Sequence, residues 1–269
     1  MILEKLFSLM VTGAVALIVI FTITWLIQLK TKNAAIVDSV WAVSFPLLAG
    51  IYFFKSEFFL ARNVILFVMV FAWGMRLATH LFVRTINHAE DVRYIALREQ
   101  WGSKQNILML RFFYFQAILA VLLSYPFAVV MINPSIEMNY FEWTGVVLWI
   151  MSVIGESIAD AQLKKFKSDT SNKGKICETG LWNYSRHPNY FFEWLVWVSF
   201  FVFALGSPWG WLSIICVVLM LFFLLKVTGI PYTEQQMIKS RGQAFIEYQK
   251  TTSAFIPLPK RISGFKSQI

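Results

Sequence analysis

Polar and apolar positions along this chain fall into long blocks, and not into the short alternations of a soluble core. Seven stretches are apolar nearly throughout, at about 17 to 25 residues each, the length a helix needs to cross a bilayer core of roughly 30 Å. They run Leu6–Leu29, Ile36–Phe54, Asn63–Phe82, Ile107–Ile132, Phe141–Ala161, Tyr190–Leu205 and Trp209–Thr228. The second and sixth are short, and the second also carries Asp38 and Pro46. The pattern predicts an all-α, polytopic integral membrane protein of about seven transmembrane helices. Loops between the stretches are brief and no internal repeat is visible, so residues 1–269 read as a single membrane domain.

Composition agrees with that solvent. The chain is 58% hydrophobic and only 14% charged, against a charged share of about 25% in soluble domains. The first stretch reads as a retained helix and not a cleaved leader, because its apolar core is too long and Ala14-Val15-Ala16 lies inside it.

Charge adds an orientation. Of the 24 basic residues, 18 fall in alternate segments that seven crossings would place on one side, with Lys5, Lys55 and Arg62 on the other. Short loops rich in Lys and Arg stay cytoplasmic. The expectation is an N-terminus outside and a cytoplasmic C-terminus, in a membrane such as the bacterial inner membrane. The net charge of +9 then reflects contact with anionic membrane lipids. Nucleic acid is not an expected partner, since the basic residues are spread over four segments without a binding motif. Cys177 and Cys216, with His80, His88 and His187, show no metal-ligand spacing, so no metal is expected.

Ionisable residues inside or beside apolar spans are costly and mark function by default. Four places qualify. Arg76, His80 and Arg84 follow one another at i, i+4 and share a helix face; snorkelling explains Arg84 and Arg76 more readily than His80. Glu156 and Asp160 have the same spacing and run into Gln162, Lys164, Lys165 and Lys167. Two such carboxylates share a proton, hold a cation, accept hydrogen bonds from a ribose or amide, or pair with a neighbouring cation. The segment Glu178 to Trp194 opens the sixth stretch with Pro188 in a first helical turn and Arg186 and His187 beside it, a setting that either binds an anion or anchors an interfacial turn. Asp38 either caps the second helix or acts in chemistry.

These residues carry a resemblance. Gly180-Leu181-Trp182, Tyr184, Asn189-Tyr190 and Glu193, with Glu156 and Asp160 before them and Glu247-Tyr248 and Phe255-Ile256-Pro257 after, together resemble the steroid 5α-reductase and sterol-reductase family. Within it, the Ser185-Arg186-His187-Pro188-Asn189-Tyr190 wording is similar to a bacterial branch of membrane proteins of DUF1295 type. The resemblance is densest from about Gly155 to Pro257, which makes 155–257 the expected cofactor-binding half.

The resemblance implies a membrane reductase that takes NADPH from the cytoplasmic side and reduces a carbon–carbon double bond conjugated to a carbonyl in a lipid-like substrate. It implies cofactor contacts at Asp160, Lys167, Lys175, Asn189, Glu193, Arg241 and Tyr248, with Glu156 where the family has Asn, and Arg186 and Tyr190 in the same segment. Steroid-acting members place a Gln-Glu pair in the second span and a Tyr in the third; here Asp38 and Trp41 stand in the second, and His80 takes the Tyr position. Steroid specificity is therefore not expected. A protonated His80 is the expected acid, with Asp38 and Arg76 completing the catalytic set.

A second resemblance competes. Arg186-His187-Pro188, Tyr190, Glu234 and Arg241-Gly242, Phe245, Tyr248 are similar to the isoprenylcysteine carboxyl methyltransferases, which use S-adenosylmethionine. That family has paired Glu where this chain has Glu234-Gln235, and Gly where it has Phe192, departures that favour the reductase. A third reading is a lipid- or proton-handling bundle built on Glu156 and Asp160. The substrate and the oligomeric state carry no sequence signal.

Overall fold

A computed structural model describes residues 2–85 and 89–261. Among them the chain is helical, with one isolated bridge pairing Ser185 and Ser253 and no named strand. The helices are α1 (Ile2–Thr31), α2 (Ile36–Lys55), α3 (Ala61–Thr85), α4 (Val92–Trp101), α5 (Gln105–Leu123), α6 (Tyr125–Met131), α7 (Tyr140–Ser168), α8 (Pro188–Ala204), α9 (Ile214–Phe222), α10 (Ile230–Arg241) and α11 (Gln243–Thr251). Long apolar runs become helices because a lipid core offers no water to satisfy backbone groups.

The protein is an all-α polytopic membrane protein. Six helical stretches are long and apolar enough to cross a bilayer: Ile2–Thr31, Ile36–Lys55, Ala61–Val83, Val92–Leu123, Tyr140–Ser168 and Gly210–Arg241. The sequence predicted about seven. The remaining predicted stretch, the sixth, is α8, whose 17 residues span about 26 Å at 1.5 Å per residue, the short end of crossing lengths; it runs antiparallel along α7, with Phe203 at Gly145 and Phe192 at Gly155. Two further boundaries moved. The fourth stretch breaks at Ser124 between α5 and α6, and the seventh runs from α9 through a π turn at Phe223–Val227 to Gly229 and α10.

The chain divides into two compact units, Met1–Glu142 with Ala204–Ser213, and Trp143–Phe203 with Ile214–Ile269. In the first, α2 packs along α3 and α1 against α2 and α5. Pro46 does not break α2, which stays helical for 20 residues. Gly74 makes room for it: a Cβ there would lie 2.5 Å from the Pro46 ring. Phe21, Phe45, Tyr52, Trp73, Phe113 and Phe127 fill the interior. Tyr52 and Ser124 share a buried hydrogen bond of 2.9 Å, which places the α5–α6 break against α2. At one end Arg62 and Glu142 form a fully buried ion pair at 2.9 Å. Glu142 also accepts from the Asn139 amide, and Arg62 donates to the Glu137 carbonyl. The outward face is apolar, with Phe7 71% and Phe54 72% exposed, as a lipid-facing surface requires.

In the second unit, α7 and α8 lie close because Gly145 and Gly155 leave space. A Cβ on Gly145 would meet the Phe203 backbone nitrogen at 2.8 Å, and one on Gly155 would strike the Phe192 ring. The segment after α11 is tied to the turn before α8. Arg186 donates its amide to Ser253 at 2.8 Å, Leu258 donates to Tyr184 at 2.9 Å, and Ser185 Oγ donates to the Phe255 carbonyl at 2.8 Å.

Candidate functional site

The second unit holds most of the residues singled out in the sequence. On α7, Ser152, Glu156 and Ala159 are buried, as is Gly155. They form one stripe at helical spacing, and Asp160 borders it half-buried. This stripe lies under the 180–193 segment. Trp182 Nε1 donates to the Ala159 carbonyl at 2.9 Å, Gln162 accepts from the Leu181 amide at 2.9 Å, and Asn189 Nδ2 reaches Asp160 Oδ1 at 3.4 Å. Gly180, at φ +60°, permits this approach: a side chain there would run into Gln162. Glu193, one turn beyond Asn189 on α8, is also buried. The predicted pair Glu156 and Asp160 and the predicted Asn189 and Glu193 therefore belong to facing elements of one unit. Lys164, Lys165, Lys167, Lys173 and Lys175 are exposed on the last turns of α7 and the loop after it.

The turn before α8 was read as an anion site or an anchor. An anion is there, and the chain supplies it. Glu234 of α10 accepts from Arg186 Nε at 2.7 Å, meets His187 Nε2 at 3.1 Å, and accepts from Gln249 Nε2 at 2.6 Å. Arg186 also donates Nη1 to the carbonyls of Gln249 and Thr252. Burial holds the His187 imidazole below its ordinary pKa, against the upward pull of the Glu234 carboxylate. Tyr190 stacks on the His187 ring, centroids 5.3 Å apart, and shares a 3.1 Å hydrogen bond with Thr233. Tyr248 is buried; its hydroxyl donates to the carbonyls of Trp182 and Ser185, and burial raises its pKa. Arg241 is half-buried.

The first unit carries the other three predicted residues. Asp38 does not cap α2: the preceding Ala35 is the cap residue, without a side-chain bond. Instead Asp38 Oδ1 accepts from the Tyr94 hydroxyl at 2.5 Å and Oδ2 from Arg93 Nη2 at 2.7 Å. Asp91, which caps α4 through the Arg93 amide, also binds the Arg93 guanidinium at 3.0 Å. Asp38 and Asp91 line a cavity of about 170 Å³ with Ala35, Leu81, Thr85 and Ala89. His80 is exposed on α3 and Arg76 half-buried; neither lines that cavity. The Arg84 side chain lies outside the described residues.

Sequence reasoning passed over Arg93, Tyr94 and Gln249, and used Glu234 only for the methyltransferase resemblance. The signal for Glu234 was its place in a motif with Arg186 and His187. Tyr94 had none beyond its position after Asp91 and Arg93 in a short polar helix.

The model of the family described as a protein of unknown function, DUF1295, matches residues 24–252. An uncharacterized protein of Schizosaccharomyces pombe is 26% identical over 222 residues, covering 72% of this chain and 64% of that protein. The chain thus spans less than two thirds of that relative. No solved structure matches.

Proposed function

The chain belongs to the DUF1295 family, and from that premise we propose that it is an NADPH-dependent membrane reductase of a double bond conjugated to a carbonyl in a lipid-like substrate. The observation that carries this reading is the polar floor between α7 and α8. Buried Glu156 and Glu193 and the Asp160–Asn189 contact sit beside five exposed lysines. Carboxylate and amide groups of this kind take the hydroxyls of a ribose and the carboxamide of a nicotinamide. Lysines, as mobile point charges, take phosphates. Glu156, Asp160, Asn189 and Glu193 would hold the nucleoside part, and Lys167 and Lys175 the phosphates, with Arg241 beside them. Arg186, Tyr190 and Tyr248 would act behind this set, since their polar groups are engaged by Glu234, Thr233 and backbone carbonyls. When bound, the cofactor supplies the hydride that adds to the β-carbon.

Asp38, Arg76 and His80 are the residues we propose for the proton-donating side of the reaction. Retained NADPH binding with undiminished turnover in His80→Ala would remove His80 from that role. We also propose that the lysine-rich segments face the cytoplasm, following the positive-inside rule.

Methyl transfer from S-adenosylmethionine is the second reading, because Arg186, His187 and Glu234 of the methyltransferase-like motif do converge. The lysine field argues against it. S-adenosylmethionine carries a sulfonium cation, and a cluster of exposed lysines favours a polyanion. The deciding assay follows NADPH oxidation by the purified protein across a panel of lipid-like enones. Oxidation that depends on an enone supports the reductase. Methyl transfer without any NADPH oxidation would replace it.

A further inference from the structure

The three basic residues on the lysine-poor side of the sequence pattern are Lys5, Lys55 and Arg62, and the structure accounts for them unequally. Arg62 is buried against Glu142 at 2.9 Å. Lys5 pairs with Glu57 at 2.7 Å, with side chains 37% and 68% exposed. An exposed pair of this kind contributes little and exchanges readily. Lys55, the last residue of α2, donates to the Thr12 hydroxyl at 2.9 Å, a neutral partner, and is in no ion pair among the described residues.

Lys5 and Lys55 line the same cavity of about 160 Å³ in the first unit. Ser8 lies beside them, and Phe58, Met131 and Ile132 form its apolar wall. Counting Glu57, which also lines it, the charged groups leave an excess of one positive charge. Around this end of α1 and α2 the surface is apolar, with Leu3 64%, Phe7 71% and Phe54 72% exposed. A cationic cavity with a partly apolar wall, opening beside lipid-facing Phe and Leu side chains, is suited to a ligand with an anionic head and hydrocarbon tails.

We propose that this cavity binds the phosphodiester headgroup of an anionic membrane lipid, with Lys55 and Lys5 as the charged donors, Ser8 as a hydroxyl donor, and the acyl chains along the exposed faces of α1 and α2. The site stands on the first unit alone and does not depend on the reductase reading. The shared chemistry with free phosphate is the anion; the lipid is distinguished by its tails.

The test measures thermal stabilisation of the full chain in detergent by phosphatidylglycerol, phosphatidylcholine and inorganic phosphate, because a ligand of the folded state raises the melting temperature by mass action. Phosphatidylglycerol is expected to stabilise the wild type in a saturable way, with phosphatidylcholine and inorganic phosphate far weaker. Lys55→Gln is expected to weaken the apparent affinity about tenfold, the order of one charge-assisted contact. Lys5→Gln should weaken it less, Lys55→Arg should retain it, and Lys239→Gln should leave it unchanged. Equal stabilisation by phosphatidylcholine, or an undiminished response in Lys55→Gln, would overturn the site. Stabilisation by inorganic phosphate equal to that by the lipid would overturn the lipid as its occupant. Should Lys55→Gln not fold, an undiminished response in Lys5→Gln together with a lost one in Lys55→Arg contradicts the proposed pair of donors.

Discussion

Replacing Glu234 by Gln keeps the shape of the side chain that ties the second unit together and removes its charge. The carboxylate now accepts from three donors: Arg186 Nε at 2.7 Å and His187 Nε2 at 3.1 Å on one oxygen, and Gln249 Nε2 at 2.6 Å on the other. An amide has a single oxygen: with that oxygen toward Arg186 and His187 its NH2 faces Gln249, which must turn its own amide to accept, and with it toward Gln249 its NH2 meets the donor-only Arg186. Arg186 has only 10% of its side chain exposed, and it would keep only neutral carbonyl acceptors. Breaking a buried ion pair by removing one partner costs about 3–5 kcal/mol; slight exposure puts this one near the lower end. About 3 kcal/mol corresponds to a melting temperature lowered by about 6–12 °C in a chain of this size. The loss should also be local, because Arg186 holds the carbonyls of Gln249 and Thr252 and its amide holds Ser253. Hydrogen exchange at the amides of 253–258 should rise by about a hundredfold if that segment opens as a unit. A Glu234→Gln protein that melts within about one degree of the wild type, with unchanged exchange there, would refute the reasoning. Recovery in Glu234→Gln combined with Arg186→Met would support it, since the stranded cation is then gone.

Other consequences follow from the same physics. Arg62→Met should lose about 3–5 kcal/mol, because the fully buried Glu142 loses its ion partner, and adding Glu142→Gln should regain part of it in denaturant titrations. Gly145→Ala should destabilise by about 1–3 kcal/mol, since its methyl would meet the backbone of Phe203, which has no flexible end to yield; an unchanged melting temperature would show that α7 and α8 have slack there. The His187 pKa is lowered by burial, so its contribution to stability is present above its unfolded pKa of about 6.5 and is lost as pH falls through the folded value. The difference in melting temperature between wild type and His187→Gln should therefore shrink or change sign on acidification, and a difference independent of pH would refute it.

The membrane helices were legible because a lipid solvent leaves the chain few alternatives: a run of apolar residues of the right length becomes a helix. Where the expectation slipped, a local feature was responsible. The sixth stretch is a helix where hydropathy placed it, α8, and it differs only in lying at the short end of crossing lengths. The break at Ser124 is a packing decision, made where its hydroxyl meets Tyr52 from α2, and no local sequence signal announces it. Pro46 suggested a weak second helix, yet Gly74 on the neighbouring helix accommodates its ring.

The candidate site was legible where it is local. Glu156 with Asp160 and Asn189 with Glu193 are set by helical spacing, and the structure places both pairs on facing elements. The partners of Arg186 and Asp38 were not legible. Glu234 lies 48 residues from Arg186, and Arg93 and Tyr94 lie 55 and 56 from Asp38. Asp38 read either as a cap, because Asp before an apolar run usually is one, or as a group in the chemistry; the tertiary structure removes the cap and gives it a tyrosine and an arginine as partners. Among the described residues, such long-range pairings account for most of the difference between the expected site and the observed one.

Nucleotide choice decides the central claim, that the second unit is built for a polyanionic dinucleotide. The direct measurement is the melting temperature of the detergent-purified protein with NADPH, NADH or S-adenosylmethionine, each in the wild type and in Asp160→Ala. The account predicts saturable stabilisation by NADPH that Asp160→Ala weakens, and none by S-adenosylmethionine. Stabilisation by S-adenosylmethionine alone would contradict it.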